Sequence, residues 1–297
     1  MIKRTHFFGN PAYLSTKNDQ LIISFPDNKP DKTVPIEDIG ILVLENQQIT
    51  ITNGLLCRLT DRKVALVTCN AQHLPDGLLL PMHGHTEQVE RVGHQLNASV
   101  PLKKNLWQQT VTAKIENQHG LLKEKGKPSK RMEYLARHVK SGDTGNYEAQ
   151  AAAIYWQSLF DIPDFNRGQS GIPPNNLLNY GYAILRAILA RALVSSGMLP
   201  NVGIWHHNKY NAYCLADDIM EPYRPFVDLV VSHIVATEDN YEELTVELKR
   251  ELLTIPALDV MIDGQKSPLM VAASRTTNSL YECFAGISRK IIYPEYA

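Results

Sequence analysis

Cysteine is scarce in this chain: four residues among 297, at Cys57, Cys69, Cys214 and Cys283, with no two in a Cys-x-x-Cys pair. That spacing argues against a sulfur-rich structural zinc site. It leaves a buried free thiol as the expected state of all four, including Cys57 among Leu55, Leu56 and Leu59. No apolar run reads as long enough to cross a bilayer. The stretch Met1-Ile2-Lys3-Arg4-Thr5-His6 meets polar residues at once and lacks the apolar core of a secretory signal, so a cytoplasmic protein without a membrane partner is expected. There is no Gly-rich phosphate loop, no internal repeat and no low-complexity tail. An excess of basic charge is also missing. The formal net charge is −1, which taken alone argues mildly against a nucleic-acid partner.

The average conceals an asymmetry. Between positions 123 and 140 stand Lys123, Lys125, Lys127, Lys130, Arg131, Arg137 and Lys140, against Glu124 and Glu133. Between 217 and 251 acids dominate, from Asp217, Asp218 and Glu221 to Glu247 and Glu251. A basic face can attract phosphates while an acidic pocket gathers a cation, even in a neutral molecule. The plainer alternative is two solvated helix faces. With 44% hydrophobic and 21% charged residues, a packed core in one large domain or two ordinary ones is expected.

The first part reads as β-rich. Runs at 12–15 and 21–25 flank Lys17-Asn18-Asp19, a hairpin turn. Lys32-Thr33-Val34 runs into Pro35, 39–44 is an apolar run of strand length, and 48–52 alternates as a half-buried strand does. Asn53 is placed to cap a short helix carrying Leu55, Leu56 and Leu59, and 64–68 is a further strand. The sum is a hairpin-rich sheet with one helix. Composition breaks between Pro75 and His85, where His83 and His85 read as polar loop residues. The division expected is a β-rich domain at 1–77, a linker at 78–86 and an α-helical domain at 87–297. Helical patterns appear at 87–95, 102–122, 132–140, 147–159, 176–195, 241–253 and 279–289, with Gly197 and Pro200 as a stop signal. The stretch 164–171 has loop composition. The fold class is α+β.

Three separated stretches carry residues suited to one hard divalent cation. Glu148 opens an Ala-rich helix and shares a face with Ala152 and Tyr155, which would set a carboxylate in a crowded interior. Its alternative is a surface glutamate stabilised by the helix dipole. His206 and His207 follow Gly203 on a turn or extended segment, and local sequence does not decide which would face a metal. Asp217, Asp218 and Glu221 form an acidic cluster in which Asp218 and Glu221 are i and i+3. Here the alternative is a salt-bridged helix start with Arg224 as counterion and Pro222 in the first turn.

Taken together, the ordered set of Asp38-Ile39-Gly40-Ile41-Leu42-Val43-Leu44, Lys114-Ile115-Glu116-Asn117-Gln118, Tyr147-Glu148-Ala149, Leu178-Asn179-Tyr180-Gly181-Tyr182, Gly203-Ile204-Trp205-His206-His207 and Asp218-Ile219-Met220-Glu221-Pro222-Tyr223-Arg224-Pro225 resembles the CRISPR adaptation integrase, the first numbered family of CRISPR-associated proteins. The flavour is that of its type II branch, which works beside a large RNA-guided nuclease. The resemblance implies an N-terminal β-domain, a helical C-terminal domain and a homodimer joined through the β-domains. It implies Mg²⁺ or Mn²⁺ held by Glu148, His206 and Glu221, with Asp218 shaping or assisting the site. Trp205 stands where a smaller apolar residue is common, and Glu221 where some relatives have aspartate.

The activity so implied is that of a metal-dependent DNA endonuclease and integrase of antiviral defence. It joins the 3′-hydroxyl ends of short double-stranded fragments to the repeat of a CRISPR array by transesterification. Its partners are DNA, a dimer of the small second numbered CRISPR-associated protein bracketed by two such dimers in a heterohexamer, and the type II effector nuclease. Lys123, Lys125, Lys127, Lys130, Arg131 and Arg167 are the candidates for contacts to the DNA backbone. Two other readings are a stand-alone metal-dependent nuclease acting on branched DNA and a DNA-binding scaffold whose acids are merely salt-bridged.

Overall fold

A computed structural model describes residues 3–27, 29–168 and 171–296. Gln169 and Ser170, within the expected loop at 164–171, lie outside the described residues. The chain divides into two compact units, 1–85 and 86–297.

The first unit contains β1 (Arg4–Phe8), β2 (Tyr13–Lys17), β3 (Gln20–Ser24), β4 (Lys32–Pro35), β5 (Ile39–Leu44), β6 (Thr50–Ile51), α1 (Asn53–Asp61), β7 (Ala65–Cys69) and β8 (Pro75–Leu79). Lys17 pairs with Gln20, so the turn is the two residues Asn18 and Asp19, with φ of 52° and 56°. Two successive left-handed residues make the turn whose twist suits a hairpin, and Asn and Asp tolerate that backbone. The second sheet is hairpin-built only at β7 and β8, which pair antiparallel. Its order is β1-β5-β7-β8, and β5 runs parallel to both β1 and β7. Every residue of β5 is buried, as expected for a strand inside a parallel sheet. That burial explains its unbroken apolar sequence, which alternation could not reveal. β1 was missed because its residues are mostly polar.

Two further expectations need correction. The segment at 78–86 begins inside β8, where Leu78 and Leu79 pair with Val67 and Leu66. The cap of α1 is Thr52, which accepts a hydrogen bond from the Leu55 N–H, and Asn53 is the first helical residue. Leu14, Leu21, Ile36, Ile39, Leu42, Leu55 and Leu59 make the core between sheet and helix. All four thiols are free, but Cys57 is exposed.

The second unit contains α2 (Gln88–Leu96), α3 (Val100–Glu124), α4 (Lys130–His138), α5 (Tyr147–Leu159), α6 (Asn175–Ser195), α7 (Cys214–Met220), α8 (Arg224–Thr237), α9 (Val246–Leu252), β9 (Asp259–Ile262), β10 (Gln265–Pro268), α10 (Leu269–Phe284) and β11 (Pro294–Glu295). The two sequence units are thus strand-rich and mainly helical, an α+β fold. α6 is the central core helix. By length and composition it would suffice to span a membrane, contrary to the reading of the sequence, but 78% of its apolar window is buried within the fold. Gly197, with φ of 75°, follows its end.

Helix 241–253 shrinks to α9, capped by Thr245 through the Leu248 N–H. The helix expected at 279–289 begins ten residues earlier, as α10. Before it lies an unforeseen hairpin, in which Ile262 pairs with Gln265 across Asp263 and Gly264 at positive φ. The Asp-Gly signal for this turn is present in the sequence.

Candidate active site

α3, α5 and the α7–α8 junction carry the side chains that matter. α3 starts at Ser99, whose hydroxyl accepts from the Leu102 N–H, and buries Leu106, Trp107, Thr110, Val111, Ile115, Gln118 and Leu121. This stripe repeats at helical spacing. Lys114 lies seven residues from Trp107, so it is on the same face. Its side chain is only 11% exposed. A lysine in that position needs anionic partners.

It has two. The Lys114 ammonium lies 2.7 Å from Glu148 Oε1 and 2.6 Å from Glu221 Oε2. Glu148 sits in the first turn of α5. That turn is fixed by Asp143, whose carboxylate accepts from the Tyr147 N–H at 2.9 Å and the Glu148 N–H at 3.0 Å. Glu148 is therefore not a solvated surface residue, and of the residues expected on its face Tyr155 is buried and Ala152 partly buried. Its side chain turns to Lys114, a quarter exposed.

Glu221 is the residue where α7 ends and a single 3₁₀ turn through Pro222 leads into α8. Arg224 Nη2 lies 3.0 Å from its Oε1, so the salt-bridged alternative is realised in part. Burial would raise the Glu221 pKa. The Arg224 and Lys114 charges outweigh it and hold the carboxyl below the usual range. Burial likewise opposes the Lys114 charge, but Glu221 and Glu148 keep the ammonium above its usual range.

Asp218 and Glu221 do not share a face toward one ion. Asp218 is fully buried and turns to the loop after α6. Its Oδ2 accepts from the N–H groups of Ile204 at 2.8 Å and Trp205 at 2.9 Å. Its Oδ1 accepts from the His206 N–H at 3.3 Å and lies 2.5 Å from His206 Nδ1. Gly203 permits this approach, because a Cβ there would stand 2.4 Å from the His206 carbonyl and 2.8 Å from Asp218 Oδ2. The hydrogen bond to Asp218 raises the His206 pKa against its partial burial, with Glu221 and Glu148 adding to the rise. His206, not His207, is thus the imidazole tied to the acidic cluster. Asp217 turns elsewhere, to Arg186 at 2.7 Å and to the Asn211 amide at 2.7 Å. Trp107 stacks on Trp205, with ring centroids 5.5 Å apart, and meets the His206 ring edge-on at 5.3 Å.

Among the described residues, no three acidic, histidine or cysteine side chains close on a common point at ligating spacing. The Lys114 ammonium stands between Glu148 and Glu221. The donor types nonetheless suit a hard divalent cation. Two carboxylates already share one cation position, and His206 is bound through Nδ1, which leaves Nε2 as its outward nitrogen. Glu221 Oε2 is buried and receives no aligned hydrogen bond, although the ammonium stands beside it. By donor chemistry, though not by their present spacing, Glu148, His206 and Glu221 suit such an ion, with Asp218 behind the imidazole.

The basic candidates fall into two groups. Lys123, Lys130 and Arg131 are exposed along the end of α3 and on α4, with Lys125 and Lys127 partly so. Lys127 reaches Asp161 at 2.6 Å, and Arg131 lies over the Tyr134 ring. Arg167 is different. Its guanidinium donates to the Gly168 carbonyl, Asn175 Oδ1 and Asn179 Oδ1 at 2.7–2.9 Å and lies over the Tyr182 ring. These bonds commit its guanidinium to the fold, in contrast to the exposed lysines. Lys114, Asp143 and Trp107 were not foreseen as site residues. A lysine in register with the apolar stripe of α3 was the available signal.

A strand-rich unit, a helical unit and two carboxylates from separate helices around one cation position define the class. Residues 6–254 match the family described as CRISPR associated protein Cas1, and the chain belongs to that family. It is 39% identical over 292 residues to the CRISPR-associated endonuclease Cas1 of Neisseria meningitidis serogroup C (strain 8013), covering 98% of this chain and 94% of the relative. Among solved structures it resembles a casposase bound to integration product, with a TM-score of 0.78, 18% identity and coverage of 98% and 92% of the two chains. It also resembles a chain of a Cas6-RT-Cas1–Cas2 complex, with a TM-score of 0.73 and 19% identity, over 97% of this chain and 35% of that one. At these identities the two structures show a shared fold.

Proposed function

We propose that this chain is a metal-dependent DNA endonuclease and integrase of CRISPR adaptation, of the type II branch, acting by transesterification of a 3′-hydroxyl onto a repeat phosphodiester. The observation that carries the reading is that Glu148 of α5 and Glu221 of the α7–α8 turn face one cation position, next to an imidazole fixed by Asp218. The naming of the Neisseria relative as an endonuclease and the integration product held by a protein of the same fold support it. The Cas1–Cas2 complex among the structural neighbours supports a small partner of that second kind. A homodimer, the heterohexamer and contact with the effector nuclease belong to the same proposal.

Glu148, His206 through Nε2, and Glu221 would hold Mg²⁺ or Mn²⁺, which supplies charge stabilisation on a phosphate oxygen and a lowered pKa for the attacking hydroxyl. In the neutral ring, a proton on Nδ1 held by Asp218 would leave the Nε2 lone pair for the ion. Arg224 offsets one of the two Glu221 oxygens. One phosphodiester is exchanged for another, so no nucleotide hydrolysis is needed. The exposed bases from Lys123 to Arg131 give contacts to backbone phosphates that do not read sequence.

The test is a joining assay with a labelled duplex, a repeat-containing plasmid, the small partner and Mg²⁺ or Mn²⁺. The expected product is a branched, joined strand, lost in Glu148→Ala, His206→Ala and Glu221→Ala. Shortened strands without joining would favour a stand-alone nuclease. Joining intact in all three variants would favour a scaffold.

A further inference from the structure

Lys114 stands where a metal ion would be expected. Its ammonium bridges Glu148 Oε1 and Glu221 Oε2, while Arg224 holds the other oxygen of Glu221. The two glutamates and these two cations are balanced in charge without any ion. A dication entering beside the ammonium would leave this group with two excess positive charges. It would also sit against Lys114 at contact distance, where burial weakens screening. One cation must leave. Arg224 is fixed by a planar guanidinium over the Tyr182 ring, 4.7 Å from its centroid. Lys114 is a compact point charge on a flexible four-carbon stem, free to change rotamer without breaking a ring stack.

We propose that Lys114 is a built-in competitor of the divalent ion: it holds Glu148 and Glu221 together in the metal-free protein and swings out when the ion binds. The inference rests on the reading of Glu148, His206 and Glu221 as ligands. Lys114 is a positioning residue for those glutamates. It keeps the two carboxylates from repelling each other before loading, and in doing so weakens the affinity of the site for the ion.

The test is Mn²⁺ titration of the full chain after chelation, read by the paramagnetic resonance signal of free Mn²⁺ and by thermal unfolding. Wild type is compared with Lys114→Gln, Lys114→Arg and Glu148→Gln. Lys114→Gln should bind Mn²⁺ at least about tenfold tighter than wild type, since the competing charge is gone and the carboxylates then need the ion. Its melting temperature should fall in chelator and rise with Mn²⁺ by more than that of wild type. Lys114→Arg, which keeps the charge, should bind no tighter than wild type. If Lys114→Gln is unfolded in chelator, circular dichroism should show it folding as Mn²⁺ is added. Equal or weaker Mn²⁺ affinity in folded Lys114→Gln overturns the inference, and so does failure of that variant to fold with Mn²⁺. In either case, binding by wild type that is lost in Glu148→Gln preserves the metal reading. No Mn²⁺ binding to either wild type or Lys114→Gln overturns both.

Discussion

The Asp218 carboxylate lies 2.5 Å from His206 Nδ1 through Oδ1, while its Oδ2 accepts the backbone N–H groups of Ile204 and Trp205. One buried side chain therefore both shapes the loop and sets the orientation of the imidazole. The two substitutions should separate these roles. Asp218→Ala orphans three backbone donors and should cost about 3 kcal/mol in chemical denaturation as well as joining activity. His206→Ala should abolish joining but change stability by under about 1 kcal/mol, because the ring is half exposed. Equal stability loss in the two variants would contradict this division.

Glu148 and Glu221 should likewise differ. Glu221 is buried between Lys114 and Arg224, so Glu221→Ala takes the carboxylate from Arg224 and leaves Lys114 with Glu148 alone, and should cost on the order of 3 kcal/mol. Glu148 is a quarter exposed and pairs with Lys114, so Glu148→Ala should cost roughly 1 kcal/mol. Both should lose joining. Urea unfolding in the presence of chelator reads the difference without contribution from metal.

Away from the reacting groups, Asp228 accepts the hydroxyls of Tyr155 at 2.7 Å and Tyr182 at 2.6 Å. Burial pushes its carboxyl up to about 6, against the pull of those two hydroxyls. The folded value lies above the unfolded one. Between about pH 4 and 6 the native state thus keeps a proton that the unfolded chain releases. The stability this group contributes is present at low pH and is lost as pH rises through 6. Asp228→Asn should remove that slope. From pH 4.5 to 7, the stability of the variant relative to wild type should rise by on the order of 2 kcal/mol. A difference that does not change with pH would contradict the assignment.

The basic residues give a contrast in salt dependence. Replacing Lys130 and Arg131 together by glutamate should weaken duplex binding and flatten the slope of log affinity against log salt by about two. Arg167→Ala should leave that slope unchanged and lower stability by roughly 2 kcal/mol, since it removes three hydrogen bonds within the fold. Fluorescence anisotropy at several salt concentrations measures the first, and thermal unfolding the second.

Much of the architecture was legible locally. The turn at Asn18-Asp19, the extent of α5 and the end of α6 near Gly197 all follow from residue types whose backbone preference is strong. What escaped depends on long-range packing. The all-buried β5 reads as apolar with no period, so its parallel neighbours could not be inferred. β1 is a strand because β5 pairs with it, not because of its own sequence. Asp218 and Glu221 sit three apart, as helical spacing requires, yet they diverge. Pro222 breaks the helix after Met220, and the N–H groups of Ile204 and Trp205 draw Asp218 away. Lys114 was overlooked because a lone lysine in a long helix ordinarily faces water. Its register with Trp107 and Val111 was the sign that it does not.

The most direct test of the metal site is anomalous diffraction from a crystal of the full chain soaked in Mn²⁺. The expected result is a single peak bounded by Glu148, Glu221 and His206 Nε2, with the Lys114 ammonium displaced and Asp218 still on Nδ1. A map without a peak there, with Lys114 still bridging the two glutamates at saturating Mn²⁺, would contradict the central claim.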